Sequence, residues 1–385
     1  MKETPILAGA FSSPTQVIFE KDASRRAGEI ARSLGATRVF AATDPGVARA
    51  GVLDAALRAI REAGLALEFF DEAPADPTFA DVLAVGERAK AFGADLVVAA
   101  GGGSGLCTGR GAALVATNGD LRPFVGHDKY PHPPLPVIAI PTTAGSGSEV
   151  SKHVTLSDER TLKKAGIDGY TNAPRVALLD PELVQGVPRA QAIASGVDAF
   201  CHALEAYLST RATPITDSIA LDAFRRIWTL LPRALEGDAR AKGDMLLASA
   251  MANIACGNAG LTLVHAMNGG VTYAYKARRY EPVAYGMIHG ALLPPVLRFF
   301  IPAARDRLAA LAPLVGTVTT AESVVETIVD WTRRIGVPPV LPWGRIPDAD
   351  VDLIVDETLE RKRPSPRQPT RSEARAIVHA ALGIY

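Results

Sequence analysis

The stretch DLVVAAGGGSGLCTGRGAALVA, residues 95–116, decides the fold. DLVVAA (95–100) is a short, largely apolar run that suits a strand covered on both faces, and TGRGAALVA (108–116) suits a helix. Between them, GGGSG (101–105) forms a strand-to-helix turn nearly free of side chains. Backbone N–H groups in such a turn can approach a pyrophosphate closely, and the helix N-terminus adds a favourable partial charge. Any tight turn of this kind can use glycines, so the cluster alone is weak. It gains weight from PTTAGSGSEV (141–150), a second loop of small and hydroxyl-bearing residues directly after the strand-like PVIAI (136–140). Loops at the C-terminal ends of parallel strands are where an open α/β sheet places its ligand.

Working outward, strand and helix signals alternate. Thr37–Thr43 and Ala66–Phe70 read as strands, Gly51–Ala63 and Thr78–Phe92 as helices, and Val176–Leu179 as the last strand. From Pro181 the strand signals stop. Helical patterns follow at 191–208, 216–235, 241–256, 306–315, 321–335, 348–358 and 371–382. The expectation is an N-terminal α/β domain with a Rossmann-like parallel sheet over residues 1–180 and an all-α domain over 181–385. The Pro/Arg-rich ERKRPSPRQPT (360–370) reads as a solvated loop before the last helix.

The chain has 385 residues, 48% hydrophobic and 21% charged, which is long enough for two globular domains. Its 41 basic and 41 acidic residues cancel, which removes the electrostatic case for nucleic acid or an acidic membrane surface. No uninterrupted apolar run reaches bilayer-spanning length. The N-terminal MKETPILAGAFSSPTQ lacks the pattern of a secretory signal. Cys107, Cys201 and Cys256 are an odd, widely spaced set without a CxxC pair, as expected for free thiols in a reducing compartment. A cytoplasmic location is the expectation.

The second informative stretch is SGVDAFCHALEAY (195–207). Asp198 and His202 stand four apart on a helix-compatible pattern, which sets a carboxylate and an imidazole on one face. His265, in GNAGLTLVHAMNGG, and His289, in YGMIHGALLPP, lie in apolar surroundings where an unpaired imidazole is costly. One carboxylate and three imidazoles suit a borderline divalent cation such as Fe(II) or Zn(II). Each histidine taken alone reads as a hydrogen-bonded core or surface residue; only the set together favours the cation. Asp44, after RVFAAT, is placed to accept from an adenosine ribose, where its charge disfavours a 2′-phosphate and so favours NAD over NADP. In TDPG it also reads as a plain turn residue.

GGGS, TTAGSGSE, DPEL (180–183), SGVDAFCHALEAY, GNAGLTLVHAM and HG before an apolar helix, in this order, resemble the iron-containing (group III) alcohol dehydrogenases. The resemblance covers essentially the whole chain and implies a dehydroquinate synthase-like fold. It implies metal ligands at Asp198, His202, His265 and His289. Pyrophosphate contacts fall on Gly102, Gly103 and Ser104, and further nucleotide contacts on Thr142, Thr143, Ser146, Lys164 and Leu183. It further implies hydride transfer between a nicotinamide and a small alcohol, aldehyde or oxo acid at a metal-polarised oxygen, with His265, His289 and Lys164 in the catalytic set, in a homodimer or larger assembly.

Three departures qualify the resemblance. The family's GGGSxxD aspartate is Cys107 here, followed by Arg110. The second histidine of HxxxH is Gly269. His265 and His289 are separated by a longer segment than usual, NGGVTYAYKARRYEPVAYGMI. That segment looks like the one in hydroxyacid–oxoacid transhydrogenases. Its Lys276, Arg278 and Arg279, with Tyr273, Tyr275 and Tyr280, suggest a pocket for a substrate carboxylate; the plain alternative is a solvated basic loop. Maleylacetate reductases, sugar-phosphate cyclases or glycerol-1-phosphate dehydrogenases, and a non-catalytic cofactor-binding relative are the rival readings.

Overall fold

A computed structural model describes residues 10–384. They form two compact units: residues 13–188 with 238–250, and residues 10–12, 189–237 and 251–384.

The first unit holds β1 (Gln16–Phe19), α1 (Ala27–Ser33), β2 (Arg38–Ala42), α2 (Pro45–Arg49), α3 (Asp54–Glu62), β3 (Ala66–Phe70), α4 (Phe79–Phe92), β4 (Leu96–Gly101), α5 (Gly103–Asn118), β5 (Gly126–His127), β6 (Val137–Pro141), β7 (His153–Ser157), β8 (Lys164–Asp168) and β9 (Val176–Leu179). Six strands make a parallel sheet in the order β1-β9-β6-β4-β2-β3. Strands β4, β6 and β9 are apolar throughout, and β2 is apolar beyond Arg38, because alternate residues face two cores. Val39, Ala41, Val98 and Ala100 pack with Ile30 and Ile60 from α1 and α3 on one face. Phe40, Ala42, Val97 and Ala99 pack with Val85 and Leu106 from α4 and α5 on the other. The chain runs from β2 outward to β3, then back across to β4 and on to β6, so strand order reverses between β2 and β4. Asp44 and the glycine turn lie at that reversal, directly after those two strands.

A smaller sheet, β5-β8-β7, was not legible as strands. The antiparallel β7–β8 pair is short and polar, with Thr155 opposite Gly166, and it carries little of the apolar pattern that identifies the main sheet.

The second unit is helical: α6 (Arg189–Leu208), α7 (Pro214–Leu235), the end of α8 (Ala239–Ala259), α9 (Leu263–Arg278), α10 (Tyr285–Ala309), α11 (Ala312–Val315), α12 (Ala321–Arg334), α13 (Asp348–Glu360) and α14 (Arg371–Ala381). The division read at Asp180–Pro181 differs from the observed units in two ways. The sheet-bearing unit continues to Pro188, and it takes in residues 238–250 of α8. Gly243 lies against Pro181, and Lys242 Nζ donates to the Gln185 carbonyl at 2.9 Å, which ties that half-helix to this unit.

Helix α6 is buried on every side from Ile193 to Leu208, so it forms the axis of its unit. Phe200 stacks among Phe224 and Trp331, at centroid distances of 5.0 and 4.7 Å. By length and mean hydropathy α10 resembles a bilayer-crossing helix, although Arg298 interrupts its apolar run. It contains Pro294, Pro295 and Pro302, breaks at Ala304 and packs on α6, α9 and α12, as the core helix of this unit. Residues 269–289, the longer segment between His265 and His289, are mostly helical. They are the end of α9, a short connection and the first turn of α10.

Candidate metal centre and nucleotide loops

Three helices bring the four expected ligands together. One turn of α6 carries Asp198 and His202, with Asp198 Oδ1 3.6 Å from His202 Nε2. The first turn of α9 brings His265, whose Nε2 is 3.7 Å from the same oxygen. The first turn of α10 brings His289, fully buried, with Nδ1 at 3.1 Å from it. Ligand atoms of Asp198, His202 and His265 all lie within 4.8 Å of one another. The His289 ring adjoins them, with its centroid 4.0 Å from that of His265. Asp198 Oδ1, His265 Nε2 and both ring nitrogens of His289 are buried without a hydrogen-bond partner among the described residues. Buried polar atoms left this way are costly, and a divalent cation among them removes the cost. The donor set therefore fits such an ion.

The electrostatics agree. Burial opposes the Asp198 charge, but the field of His202 and contacts from His265 and His289 hold its carboxyl well below the usual range. Burial opposes a proton on His265 as well, yet Glu205 and Asp198 raise it to about 9. Burial together with the neighbouring His265 pushes His289 down to about 4. Asp198 and Glu205 thus favour positive charge beside them, while His289 stays neutral with its nitrogens able to ligate.

Glu205, one further turn along α6 from His202, escaped the sequence reading. It is 1% exposed and accepts from Thr262 N at 3.0 Å, Val264 N at 3.0 Å and Thr262 Oγ1 at 2.5 Å. It also accepts from His265 Nδ1. One carboxylate therefore caps α9 and sets the tautomer that turns Nε2 of His265 toward Asp198. The signal was available: Asp198, His202 and Glu205 share one helix face at i, i+4 and i+7.

In the other unit the two expected loops lie side by side. A Cβ on Gly102 would stand 3.3 Å from Thr143 Oγ1, and one on Gly103 3.3 Å from the Ser146 Cβ. Thr142 N donates to Gly101 O at 3.0 Å. Gly102 is the N-cap of α5, whose first turn is Gly103–Ser104–Gly105. Asp44 is the turn residue that TDPG suggested, and one of its oxygens stays directed at the glycine turn. Oδ1 caps α2, accepting from Gly46 and Val47, while Oδ2 faces Gly101 and Gly105. Lys164, on β8, pairs with Asp76, which also accepts from Ser157 Oγ at 2.8 Å. Leu183 sits in the hydrophobic core.

Arg110 is fully buried and donates to the carbonyls of Ser148, Ser151, His153 and Asn172, at 2.7–3.2 Å. Burial lowers its guanidinium to about 10, still charged at neutral pH. Here it is a scaffold for the second loop. Arg278 and Tyr280 both bind Asp350, the former at 2.7 Å, so this part of the basic segment serves the helical unit's own structure. The 360–370 segment is the loop before α14 that was expected, with Glu360, Lys362, Gln368 and Thr370 exposed, and it also lines a cavity against α9.

Residues 14–181 match the family described as iron-containing alcohol dehydrogenase, and residues 192–382 match its C-terminal domain. The 1,3-propanediol dehydrogenase of Klebsiella pneumoniae is 33% identical over 386 residues, covering 96% of this chain and 97% of that one. The crystal structure of a 1,3-propanediol oxidoreductase superposes with a TM-score of 0.90 at 32% identity, covering 97% and 100% of the two chains. The sulfoacetaldehyde reductase of Bifidobacterium kashiwanohense in complex with NAD+ gives a TM-score of 0.87 at 25% identity, covering 97% and 99%. With its landmarks in order along both units, this chain belongs to the iron-containing alcohol dehydrogenase family, and it is an oxidoreductase.

Proposed function

We propose that Asp198, His202, His265 and His289 hold Fe(II), and that the chain catalyses NAD-linked interconversion of a small alcohol and its carbonyl form. The observation that carries this reading is the set of buried, unpartnered donor atoms converging from α6, α9 and α10. When bound, the ion supplies Lewis acidity at the substrate oxygen and the nicotinamide takes up or returns the hydride. The rest is done by the chain. Glu205 fixes the ring of His265, and the edge-on Tyr285 ring, 4.8 Å from His289, walls that histidine in. The amides of the Gly102–Gly105 turn offer donors for a pyrophosphate at the N-terminus of α5. Asp44 Oδ2, directed at the same turn, suits ribose hydroxyls and repels a 2′-phosphate, which favours NAD over NADP.

Elemental analysis of purified protein, with NADH and NADPH oxidation measured on small aldehydes, tests this directly. The expectation is about one iron per chain and a preference for NADH, with both metal and activity lost in Asp198→Ala and His265→Ala. Retention of metal and activity in both variants overturns the assignment.

A further inference from the structure

Gly269 stands one turn beyond His265 on α9, on the same helix face. A Cβ there would lie 2.7 Å from Arg361 Nε and 2.8 Å from its Cζ. The bare backbone at 269 is therefore what lets the Arg361 guanidinium lie flat against α9, a turn away from a proposed metal ligand. Arg361 is the C-cap of α13, and its side chain is 19% exposed. Glu357 Oε1 accepts from its Nε and Nη2, at 3.1 and 2.7 Å, which leaves Nη1 without a partner among the described residues. The side chain of Arg363 has neither an ion pair nor a hydrogen bond among those residues.

These side chains line a cavity of about 330 Å³, the size of a small-molecule site. Its wall combines Leu263 and Ala266, which bracket His265 in sequence, with Thr358, Arg361, Arg363 and Gln368. Lys362 contributes a third cation, and among the described residues no carboxylate lines the cavity. Asp198 of the metal centre and Arg363 of the cavity both act on the buried Cys256. The Cys256 thiol, raised far by burial, is pushed further up by Asp198 and drawn back by Arg363. An unused guanidinium edge, an unpaired arginine and an apolar floor call for a short aliphatic ligand with an anionic end.

We propose that Arg361 and Arg363 bind a carboxylate or sulfonate at the far end of the substrate, so that the reacting alcohol or carbonyl belongs to a hydroxy or oxo acid. This rests on the dehydrogenase reading above and adds the substrate class to it. The test compares kcat/KM for 4-hydroxybutyrate and 3-hydroxypropane-1-sulfonate with that for 1,4-butanediol, using metal-loaded protein. The wild type is expected to favour at least one anion over the diol by about tenfold or more, the acid distinguishing carboxylate from sulfonate. That ratio should fall about tenfold or more in Arg363→Gln, which leaves no buried partner behind, and in Arg361→Lys, which keeps a cation opposite Glu357 but loses the fork. A wild type that prefers the diol, or a ratio unmoved by both variants, overturns the proposal.

Calorimetric titration with butyrate separates this inference from the reading beneath it. If the chain is inert toward all three alcohols but binds butyrate, and Arg363→Gln abolishes that binding, the anion site stands and the dehydrogenase reading falls. An inert wild type that does not bind butyrate overturns the anion site.

Discussion

Glu205 shows how much a single residue can hold. Its two oxygens cap the first turn of α9 and orient His265, so substitution should act on both. Glu205→Gln keeps the shape but loses the charge opposite the imidazole. It is expected to weaken metal affinity by about 10–100-fold, read by competition with a chelating dye. Glu205→Ala should also lower stability by about 3 kcal/mol, because it leaves buried donors uncompensated. Unchanged metal affinity in Glu205→Gln would remove the orienting role. Asp198 and His202 were legible because four residues on a helix are a spacing, and His265 and His289 because their motifs resemble a known family. Arg110 and Asp76 were not legible. Both act on groups far away in the chain, the first on backbone carbonyls, and no local pattern announces such a contact.

At the level of elements, the turn between β4 and α5 is built by close approach. A Cβ on Gly105 would lie 2.5 Å from the Ala100 carbonyl oxygen, and one on Gly109 would lie 2.6 Å from the Ala99 Cβ. Gly105→Ala is therefore expected to push the start of α5 off the strand and to weaken NADH binding about tenfold or more, measured by fluorescence titration. Unaltered NADH affinity in a folded variant would separate this turn from the nucleotide. Five of the six parallel strands could be read from sequence, most plainly where burial on two faces leaves a continuous apolar run; β1, a short and partly exposed edge strand that opens on Gln16, could not. Helices α9 and α10 could not be assigned by periodicity: glycines interrupt the first, and prolines the second. Their packing explains both features. Gly286 lets α10 approach α6 so closely that a Cβ would stand 1.8 Å from the Ala194 carbonyl oxygen, and this contact helps deliver His289.

For the whole molecule, two measurements bear on stability. An ion at the junction of α6, α9 and α10 stabilises only the folded helical unit. Stripping the metal should lower Tm on the order of 5–10 °C, restored by Fe(II), with no such shift in His265→Ala. The pH response has a separate source in Glu149. Burial raises its carboxyl from an ordinary 4.5 to about 7, against the opposing field of Arg110. Between those values the folded chain keeps a proton that the unfolded chain has released, so this group's contribution to stability falls as pH rises from about 4.5 to 7 and then levels off. Glu149→Gln should flatten that part of the profile in urea unfolding followed from pH 4.5 to 8. A variant with the same slope as the wild type would assign the response elsewhere.

The guanidinium lying over Gly269 also constrains how this sequence can change. An imidazole at 269 and an arginine at 361 compete for one volume, so each substitution is harmful unless the other accompanies it. Any lineage exchanging one arrangement for the other must pass through a small residue at one of the two places. The pair should therefore evolve as a linked unit, and chimaeras that split it should fare worse than either parent.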